Sequence, residues 1–229
     1  MSVFAIADFH LSLGTDKPMD VFSGWDNYVD RLKRNWLNLV TERDTVVVAG
    51  DISWAMKLCE TDEDFGFIDS LPGTKIFLKG NHDYWWETAT KINRRLEEKG
   101  FDSIKILFNN SYEAENYVIC GTRGWLLECE TDEDKKLLER ECGRLRLSLE
   151  SAKKSLKEPI VFLHYPPVYG RQIQDNMIGI MREYGVKKCY YGHIHGRNMI
   201  KGAFNGEYQG IDFRLISCDA LGFTPLLIR

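Results

Sequence analysis

Short apolar runs recur along the chain and predict strands that are covered on both faces. Each run is rich in β-branched and aromatic residues and is continuously apolar rather than alternating, which is typical of strands between two layers. The predicted strands are Val3–Ala7, Thr45–Ala49, Lys75–Leu78, Tyr117–Cys120, Ile160–Leu163 and Lys188–Tyr191.

Segments with helical periodicity lie between the first of these strands. Apolar residues repeat at helical spacing before the second strand and again after the third, where Gly100 ends the pattern. Strands that alternate with helices predict a parallel sheet in the first half of the chain. The repeating positions are Trp25, Tyr28, Val29, Leu32, Trp36, Leu39, Ala89, Ile92 and Leu96.

A hexapeptide, Cys-Glu-Thr-Asp-Glu-Asp, occurs twice, at 59–64 and 129–134. We interpret both copies as helix starts with Thr61 and Thr131 as N-caps, because a calcium loop needs a longer ligand spacing and a glycine. The second copy opens a long helix with one apolar stripe. We expect this stripe to pack on the sheet, and a seam between two copies of the chain, a homodimer, is the alternative. The stripe comprises Leu138, Cys142, Leu145, Leu149, Ala152 and Leu156.

The C-terminal part of the chain has a β pattern. Asn205 and Gly206 predict a two-residue hairpin turn between strands at Met199–Phe204 and Glu207–Phe213. Further strand material lies at Leu215–Cys218 and Pro225–Ile228. No linker rich in serine, glycine or proline separates the halves, so we expect one domain over residues 1–229.

Composition and charge narrow the class of protein. The chain is 44% hydrophobic and 28% charged, which is ordinary for a globular protein, and its net charge is −4. An acidic balance argues against an extended nucleic-acid surface. The six cysteines form no CxxC pair, and no signal sequence or membrane-length apolar window is present. We therefore expect a cytoplasmic protein without a membrane partner, whose reduced cysteines act as small buried residues.

Metal-ligating side chains follow five of the predicted strands directly. Because the carboxyl ends of parallel strands meet at one edge, we expect these side chains to converge on one rim, where α/β sheets place ligands. Glycines before three of the groups permit close backbone approach. The side chains are Asp8 and His10, Asp51, Asn81 with His82 and Asp83, His164, and His193 with His195; they include all five histidines of the chain.

Imidazoles, carboxylates and a carboxamide make up this set, and no sulfur ligand is among them. This argues against a structural zinc cage and favours Mn, Fe, Zn or Co. The donors exceed the needs of one ion, whereas two ions that share a carboxylate would use them all. Two divalent ions with Asp8 and Asp51 leave a local charge of +2, which points to a phosphate ligand.

The ordered motifs D-x-H, G-D, G-N-H-D, a lone histidine and G-H-x-H resemble those of the calcineurin-like metallophosphoesterase superfamily, from Asp8 to His195. The resemblance implies an α/β fold, a four-layer α/β/β/α sandwich of two mixed sheets, with the metal site at the C-terminal rim of the strands. It further implies one metal on Asp8, His10, Asp51 and His195, and a second on Asp51, Asn81, His164 and His193, bridged by Asp51.

The catalytic assignment also follows from the resemblance. It implies a metal-dependent phosphoric ester hydrolase in which a metal-bridging hydroxide attacks phosphorus in line, while protonated His82 assists the leaving group. We expect Asp83 to orient His82, since an adjacent carboxylate fixes the tautomer of an imidazole.

The sequence defines the substrate less closely than it defines the reaction. Gly50 to Trp54 departs from the arginine-bearing pattern of Ser/Thr protein phosphatases, and Asp83 stands where those enzymes have glutamate. We therefore expect a phosphomonoester or phosphodiester of a small molecule or nucleotide. Arg123 and Arg197 are candidates to hold phosphate oxygens, and the alternative is that they are solvated surface arginines. Trp54 is a candidate to stack on a base, and the alternative is that it packs within the loops of the rim. The 11–24 connection is expected to overhang the site.

Two other functions are alternatives. The first is a non-catalytic scaffold of the same fold. Such a scaffold would have lost catalytic groups, whereas His82 and every type of metal ligand are present in this sequence. A nuclease is the third hypothesis, and the negative net charge argues against it.

Overall fold

The computed structural model describes residues 1–128 and 130–229. The strands, in chain order, are β1 (Val3–Ile6), β2 (Thr45–Val48), β3 (Thr74–Phe77), β4 (Ile104–Ile106), β5 (Tyr112–Ala114), β6 (Tyr117–Thr122), β7 (Glu158–Leu163), β8 (Val168–Tyr169), β9 (Gln172–Ile173), β10 (Lys188–Tyr191), β11 (Gly206–Tyr208), β12 (Ile211–Leu215) and β13 (Leu226–Leu227). The helices are α1 (Tyr28–Leu39), α2 (Asp62–Asp69), α3 (Ala89–Lys99), α4 (Asp132–Ala152), α5 (Asp175–Glu183) and α6 (Arg197–Ile200). A short 3-10 turn spans Leu58–Glu60.

Two large mixed sheets form the middle of the molecule. The first has the order β13-β1-β2-β3-β4, in which β1 to β4 are parallel and β13 runs antiparallel to β1. The second has the order β11-β12-β10-β7-β6-β5, with four parallel central strands and an antiparallel strand at each edge. The six strands predicted from the apolar runs are all present.

Residue alternation within the buried strands separates two cores. In β1, Phe4 and Ile6 pack with the helices that cover the first sheet, whereas Val3 and Ala5 face the second sheet. The fully apolar strands therefore still obey the period of two that every strand imposes on its side chains. Helices α1 to α3 cover one sheet, and α4 and α5 cover the other. The predicted four-layer α/β/β/α sandwich is confirmed.

The first and third helices begin and end where local chemistry dictates. Helix α1 begins at Tyr28, so Trp25, which we placed on the helical pattern, lies before it. The Thr88 side chain accepts a hydrogen bond from the Lys91 amide at the start of α3, and Gly100 ends the helix with a φ of 70°. That left-handed backbone is accessible to glycine at little cost, which explains why the helix stops there.

The two copies of the hexapeptide behave differently. Thr131 caps α4, because its hydroxyl oxygen accepts a hydrogen bond from the Asp134 amide at 3.0 Å. Thr61 likewise occupies the N-cap position, of α2, but its side chain makes no capping bond: its hydroxyl instead donates to the Leu58 carbonyl at 2.9 Å. The 3-10 turn before α2 sets this difference, since it presents a carbonyl to the threonine. Cys129, the first residue of the second copy, lies outside the described residues.

The apolar stripe of α4 packs on the second sheet of the same chain. Leu138, Leu145 and Leu149 are buried in its core, whereas Leu156 lies beyond the helix end and is fully exposed. The stripe is therefore not available as the seam of a homodimer. Within residues 1–128 and 130–229, no helix is both long and apolar enough to cross a membrane.

The C-terminal hairpin turns at a different place from the predicted one. Strands β11 and β12 meet at Gln209 and Gly210, which both have positive φ, as a tight two-residue turn requires. The prediction of a turn at Asn205 and Gly206 is wrong: the 199–204 segment holds the end of α6 rather than a strand, and Asn205 Oδ1 accepts the Leu215 amide. Strand β13 joins the first sheet beside β1, not the second.

Cysteine burial is mixed. Cys120, Cys189 and Cys218 are buried free thiols, as expected for small core residues. Cys59 is exposed, so the expectation is wrong at that position, and Cys142 is partly buried.

Candidate metal centre

The predicted ligands meet at the carboxyl ends of strands from both sheets. Strands β1, β2 and β3 of the first sheet and β7 and β10 of the second each end just before one group of ligands. Because the two sheets face each other, their rims lie side by side and the groups close into one cluster. The cluster comprises Asp8, His10, Asp51, Asn81, His164, His193 and His195.

One part of the cluster joins Asp8, His10 and His195. The Asp8 Oδ1 atom lies 3.3 Å from His195 Nε2, and the Nε2 atoms of His10 and His195 lie 3.2 Å apart. The donor atoms of these three side chains all lie within 4.8 Å of one another, which makes them a candidate metal site. Asp51 borders it, with Oδ2 at 3.7 Å from His10 Nε2.

The other part of the cluster joins Asp8, Asp51 and His164, which form a second candidate site. His164 Nε2 lies 3.5 Å from Asp51 Oδ2 and 2.6 Å from Asn81 Oδ1. Asn81 Oδ1 also lies 2.8 Å from His193 Nδ1. Both carboxylates thus contact both halves of the cluster, so two adjacent cation sites share an acidic centre.

Backbone conformation at these ligands is unusual. Asp8, His10, Asp51 and His193 have φ values of 64°, 48°, 51° and 73°, in the left-handed region that non-glycine residues rarely occupy. Each such residue costs of order 1 kcal/mol or more, and strained positions concentrate at functional sites. The strain turns each side chain sharply off its strand end and into the cluster.

Glycines bring the loops close enough for this arrangement. A Cβ atom on Gly80 would lie 2.1 Å from Asp51 Oδ1, and one on Gly192 would lie 2.6 Å from Asp8 Oδ2. Gly50 has a φ of 88° and packs against the Gly80 backbone. The prediction that glycines permit close approach at these motifs is confirmed.

Charges are tightly coupled within the cluster. Burial opposes ionisation of Asp8, but the nearby His195, His164 and His10 outweigh it and hold the pKa of Asp8 below its usual value. Burial and the charge of Asp8 raise the pKa of Asp51. Burial disfavours protonated His195, yet Asp8 and Asp219 outweigh it and raise the pKa of His195.

The other imidazoles of the cluster are held neutral. Burial is the main cause that lowers the pKa of His10, His164 and His193, the last to about 3. Neutral imidazoles keep a lone pair for a metal, and carboxylates, once ionised, supply the negative charge that cations require. Nδ1 of His10 is buried and has no hydrogen-bond partner among the described residues, while its Nε2 faces the cluster. The donor set therefore fits divalent metal ions bound by nitrogen and oxygen.

His82 stands beside the cluster, at a cavity of about 540 Å³. Its ring is 4.6 Å from the Trp54 ring and 5.6 Å from the His10 ring, and its amide donates to Asp51 Oδ1 at 2.7 Å. Trp54 stacks on His10 at 4.8 Å. The cavity is lined by aromatic, apolar and polar groups: His10, Met19, Phe22, Ser23, Trp25, Trp54, His82, His195, Gly196, Arg197, Asn198 and Met199.

Three of these lining residues, Met19, Phe22 and Ser23, belong to the 11–24 connection, which therefore forms part of the cavity wall. Arg197 is exposed and lines the same cavity. Trp54 forms part of the wall, with Lys17 Nζ 5.1 Å from its ring centroid.

Asp83 does not orient His82, contrary to our expectation. Its carboxylate is fully buried and accepts hydrogen bonds from the amides of Asp51, Ile52 and Gly80 and from the Trp85 indole. These bonds tie the loop after β2 to the loop after β3. Adjacency in sequence to His82 was a misleading signal, because the turn at His82 sends the two side chains in different directions.

Arg123 lies outside the cavity that contains His82. Its guanidinium sits 4.5 Å from the Trp125 ring, with Nη2 3.8 Å from the buried Glu141 carboxylate. It borders a separate cavity with Lys79 and Trp86. Arg123, a candidate to hold a phosphate oxygen, therefore does not line the cavity that contains His82 and Arg197.

Asp219 is a site residue that sequence reasoning missed. Its carboxylate lies 3.2 Å from His195 Nδ1 and accepts the Gly196 amide at 2.8 Å. A carboxylate behind a metal-binding imidazole fixes its orientation and raises its basicity. Asp219 follows β12 at the same rim, and that strand end was the one available signal.

Two facing mixed sheets between helical layers, with carboxylates and imidazoles at one rim, define the metallophosphoesterase class of fold. The family model described as calcineurin-like phosphoesterase matches residues 1–197, and the chain belongs to that family. Membership implies a phosphoesterase, a hydrolase for which a dinuclear metal centre is typical. No curated protein matches the sequence.

Solved structures share the fold at low sequence identity. The protein of unknown function AQ665 from Aquifex aeolicus has a TM-score of 0.57 at 17% identity, covering 99% of this chain and 95% of that one. Phosphopantetheinyl hydrolase (PptH) from Mycobacterium tuberculosis has a TM-score of 0.58 at 13% identity, covering 94% of this chain and 88% of that one. TT1561 of Thermus thermophilus has a TM-score of 0.55 at 9% identity, covering 85% of this chain and 82% of that one. At these identities the likeness concerns the fold alone.

Proposed function

We propose that this protein is a two-metal phosphoesterase that hydrolyses phosphomonoesters or phosphodiesters of small molecules or nucleotides. The observation that carries the proposal is the pairing of two adjacent candidate cation sites with an imidazole, His82, that lines a cavity of about 540 Å³ beside them. Family membership supplies the reaction class. The 11–24 connection, which forms part of the cavity wall, favours a small substrate over an extended polymer.

Two divalent ions, with Mn, Fe, Zn or Co as the candidates, would be held by the seven clustered side chains. Asp8, His10 and His195 would hold one and Asn81, His164 and His193 the other, with Asp51 between them. When bound, such ions supply positive charge to phosphoryl oxygens and activated water near neutral pH.

The walls of the cavity select the rest of the substrate. Trp25, Trp54 and Phe22 offer aromatic surface to the group attached to phosphorus, which favours aromatic or apolar leaving groups over small polar ones. Arg197, which lines the same cavity, would hold a phosphate oxygen as a charged hydrogen-bond donor.

His82 would assist the departing oxygen by donating a hydrogen bond to it. Burial, followed by the charge of His164, lowers the pKa of His82, which favours the neutral ring. The Tyr84 hydroxyl lies 3.4 Å from Nδ1. A hydroxyl that donates there leaves the ring proton on Nε2, the atom that then faces the substrate.

Hydrolysis of chromogenic aryl phosphate monoesters and diesters, measured after loading with Mn²⁺ or another of these ions, tests the proposal. In His82→Asn we expect kcat to fall by about 10²–10⁴-fold while bound metal is unchanged. Arg214→Gln, an exposed arginine on β12, is the control for surface changes. A metal-free protein that hydrolyses nothing with any divalent ion would overturn the proposal, and bound metal without turnover would support the scaffold alternative.

A further inference from the structure

A second cavity of about 450 Å³ lies on the same rim as the metal centre. We call it the basic cavity, because Lys79, Arg123, Arg140 and Arg144 line it together with Trp86. Apolar surface from the rings of Trp86 and Phe108 completes the wall, and the Arg144 guanidinium lies 4.9 Å from the Phe108 ring. None of these groups serves the reaction proposed above.

The basic cavity adjoins the metal centre through the backbone. Lys79 precedes Gly80 and Asn81 at the end of β3. The Arg123 carbonyl, at the end of β6, accepts the His164 amide at 3.1 Å. Two metal ligands, Asn81 and His164, are thus fixed to the chain segments that form this wall.

The basic cavity has more positively charged side chains than carboxylates to neutralise them. Four cationic side chains face two carboxylates, Glu141 and Glu87, which leaves +2. Glu141 is fully buried and already lies 2.6 Å from Arg144, with Arg140 and Arg123 at 4.0 and 3.8 Å. Glu87 pairs with Lys91, which adds a further positive charge beside the cavity. Such an excess attracts an anion.

Two buried donors at this wall also have no partner. Nε1 of Trp86 and Nε of Arg123 make no hydrogen bond to any residue in the described part of the chain. Trp86 is 9% exposed and the Arg123 side chain 14% exposed, so bulk water reaches them little. Buried donors are nearly always satisfied, and an exception calls for a bound group that accepts hydrogen bonds.

We propose that the basic cavity is a second anion subsite, which holds a phosphoryl group of the substrate other than the one that is cleaved. This inference rests on the proposed function and deepens it, because it makes the substrate class a bisphosphorylated small molecule. A phosphoryl group offers three acceptor oxygens and about two negative charges, which matches guanidinium and indole donors.

Binding is tested first, without reference to activity. We would follow the indole N–H resonances of the six tryptophans in the full chain, supplied with diamagnetic Mg²⁺, as inorganic phosphate is added. The resonance missing from Trp86→Phe identifies Trp86, and we expect it to shift with phosphate. Arg140→Gln should weaken this phosphate affinity about tenfold, whereas Arg214→Gln, of similar exposure, should not. An unshifted Trp86 resonance would overturn the subsite.

Inhibition then distinguishes a substrate subsite from a site for free phosphate. Alkanediol bisphosphates of increasing length and the matching alkyl monophosphates would compete with a chromogenic ester. At one length we expect the bisphosphate to inhibit at least tenfold more strongly, because its second group binds intramolecularly. Trp86→Phe and Arg140→Gln should reduce that ratio. A ratio near one at every length, with the Trp86 shift intact, means a site for free phosphate and overturns the substrate assignment while leaving the phosphoesterase proposal standing.

Discussion

Asp83 holds the backbone of Asp51 in place. Its Oδ2 accepts the Asp51 amide at 2.9 Å and the Gly80 amide at 2.7 Å, while Oδ1 accepts the Ile52 amide at 2.8 Å. Asp51 has a left-handed backbone, which would relax to an extended one without these bonds. A buried carboxylate thus maintains the strained geometry that places a central metal ligand.

Asp83→Asn should therefore weaken metal binding, although Asp83 contacts no metal. An amide side chain has one acceptor oxygen in place of two, so at least one buried amide loses its partner. We expect metal affinity to fall about 10–100-fold and the free energy of unfolding to fall by about 2–3 kcal/mol. Competition with a chelator and urea unfolding measure the two quantities.

Asp44→Asn is the matched control for this variant. Asp44 is also buried and accepts the amides of Ser2 and Thr41, but it lies before β2, at the opposite end of the strand from Asp51. It should lose stability and keep its metal affinity. Equal losses of metal in the two variants would show that Asp83 acts through general stability alone.

Substitution of Gly80 tests the close approach of the loops. A Cβ in Gly80→Ala would lie 2.1 Å from Asp51 Oδ1 and 2.2 Å from the Asp51 amide, so the ligand or the loop must move. We expect metal content to drop by more than half and stability to fall by about 2 kcal/mol or more.

Gly143→Ala supplies the opposite outcome in the same chain. Gly143 lies inside α4, and a Cβ there would meet nothing within 4 Å. Alanine is favoured over glycine in a helix interior, so this variant should gain about 0.5–1 kcal/mol and bind metal normally. Melting temperature and metal content of both proteins check the pair. A Gly80→Ala protein with full metal content would contradict the steric argument.

The central position of Asp51 makes a prediction about metal stoichiometry. Its Oδ2 lies near both His10 and His164, which belong to different halves of the cluster. Asp51→Asn should therefore deplete both ions, whereas His10→Ala should deplete one. Plasma mass spectrometry of dialysed protein gives the number of ions per chain. Retention of one full ion by Asp51→Asn would show that the carboxylate serves one site and does not bridge.

The sequence predicted the layers and most of the site because both depend on local signals. Apolar runs define the strands, and the ligands follow those runs directly, so parallel pairing is enough to bring Asp8 and Asp51 together. Residues whose environment depends on distant packing were not predictable in this way. Arg123 is drawn aside by Glu141, which α4 buries, and Asp219 reaches His195 from a loop without a motif.

Register and local turn chemistry account for the remaining differences. The hairpin turns at Gln209 and Gly210, which both have positive φ, rather than at Asn205 and Gly206, and the strand after this turn, β12, pairs with β10. Strand β13 completes the edge of the first sheet through pairing with β1, a contact between the two ends of the chain that composition does not reveal. The left-handed backbone conformation of Asp8 and His10 likewise could not be predicted from the identities of these residues.

Lys75 provides a pH-dependent test far from the metal ligands. It lies in β3 and is fully buried, and its Nζ donates to the carbonyls of Asp69 and Leu71. Burial is the main cause that lowers the pKa of Lys75 to about 8, against the partial opposition of Asp69 and Glu42. In the unfolded chain a lysine titrates near pH 10.4.

Between about pH 8 and pH 10.4 the unfolded chain therefore binds more protons at Lys75 than the folded chain does, and the contribution of Lys75 to stability rises with pH across that window. Below pH 8 both states are protonated and the contribution is constant. Relative to Lys75→Met, the free energy of unfolding of the natural chain should rise by up to about 3 kcal/mol over the window. Urea unfolding of both proteins at each pH measures this difference, in which the titration of tyrosines and cysteines cancels. Lys91→Met, at an exposed lysine, should give a far smaller change, and a flat difference for Lys75→Met would show that the buried ammonium keeps its ordinary pKa.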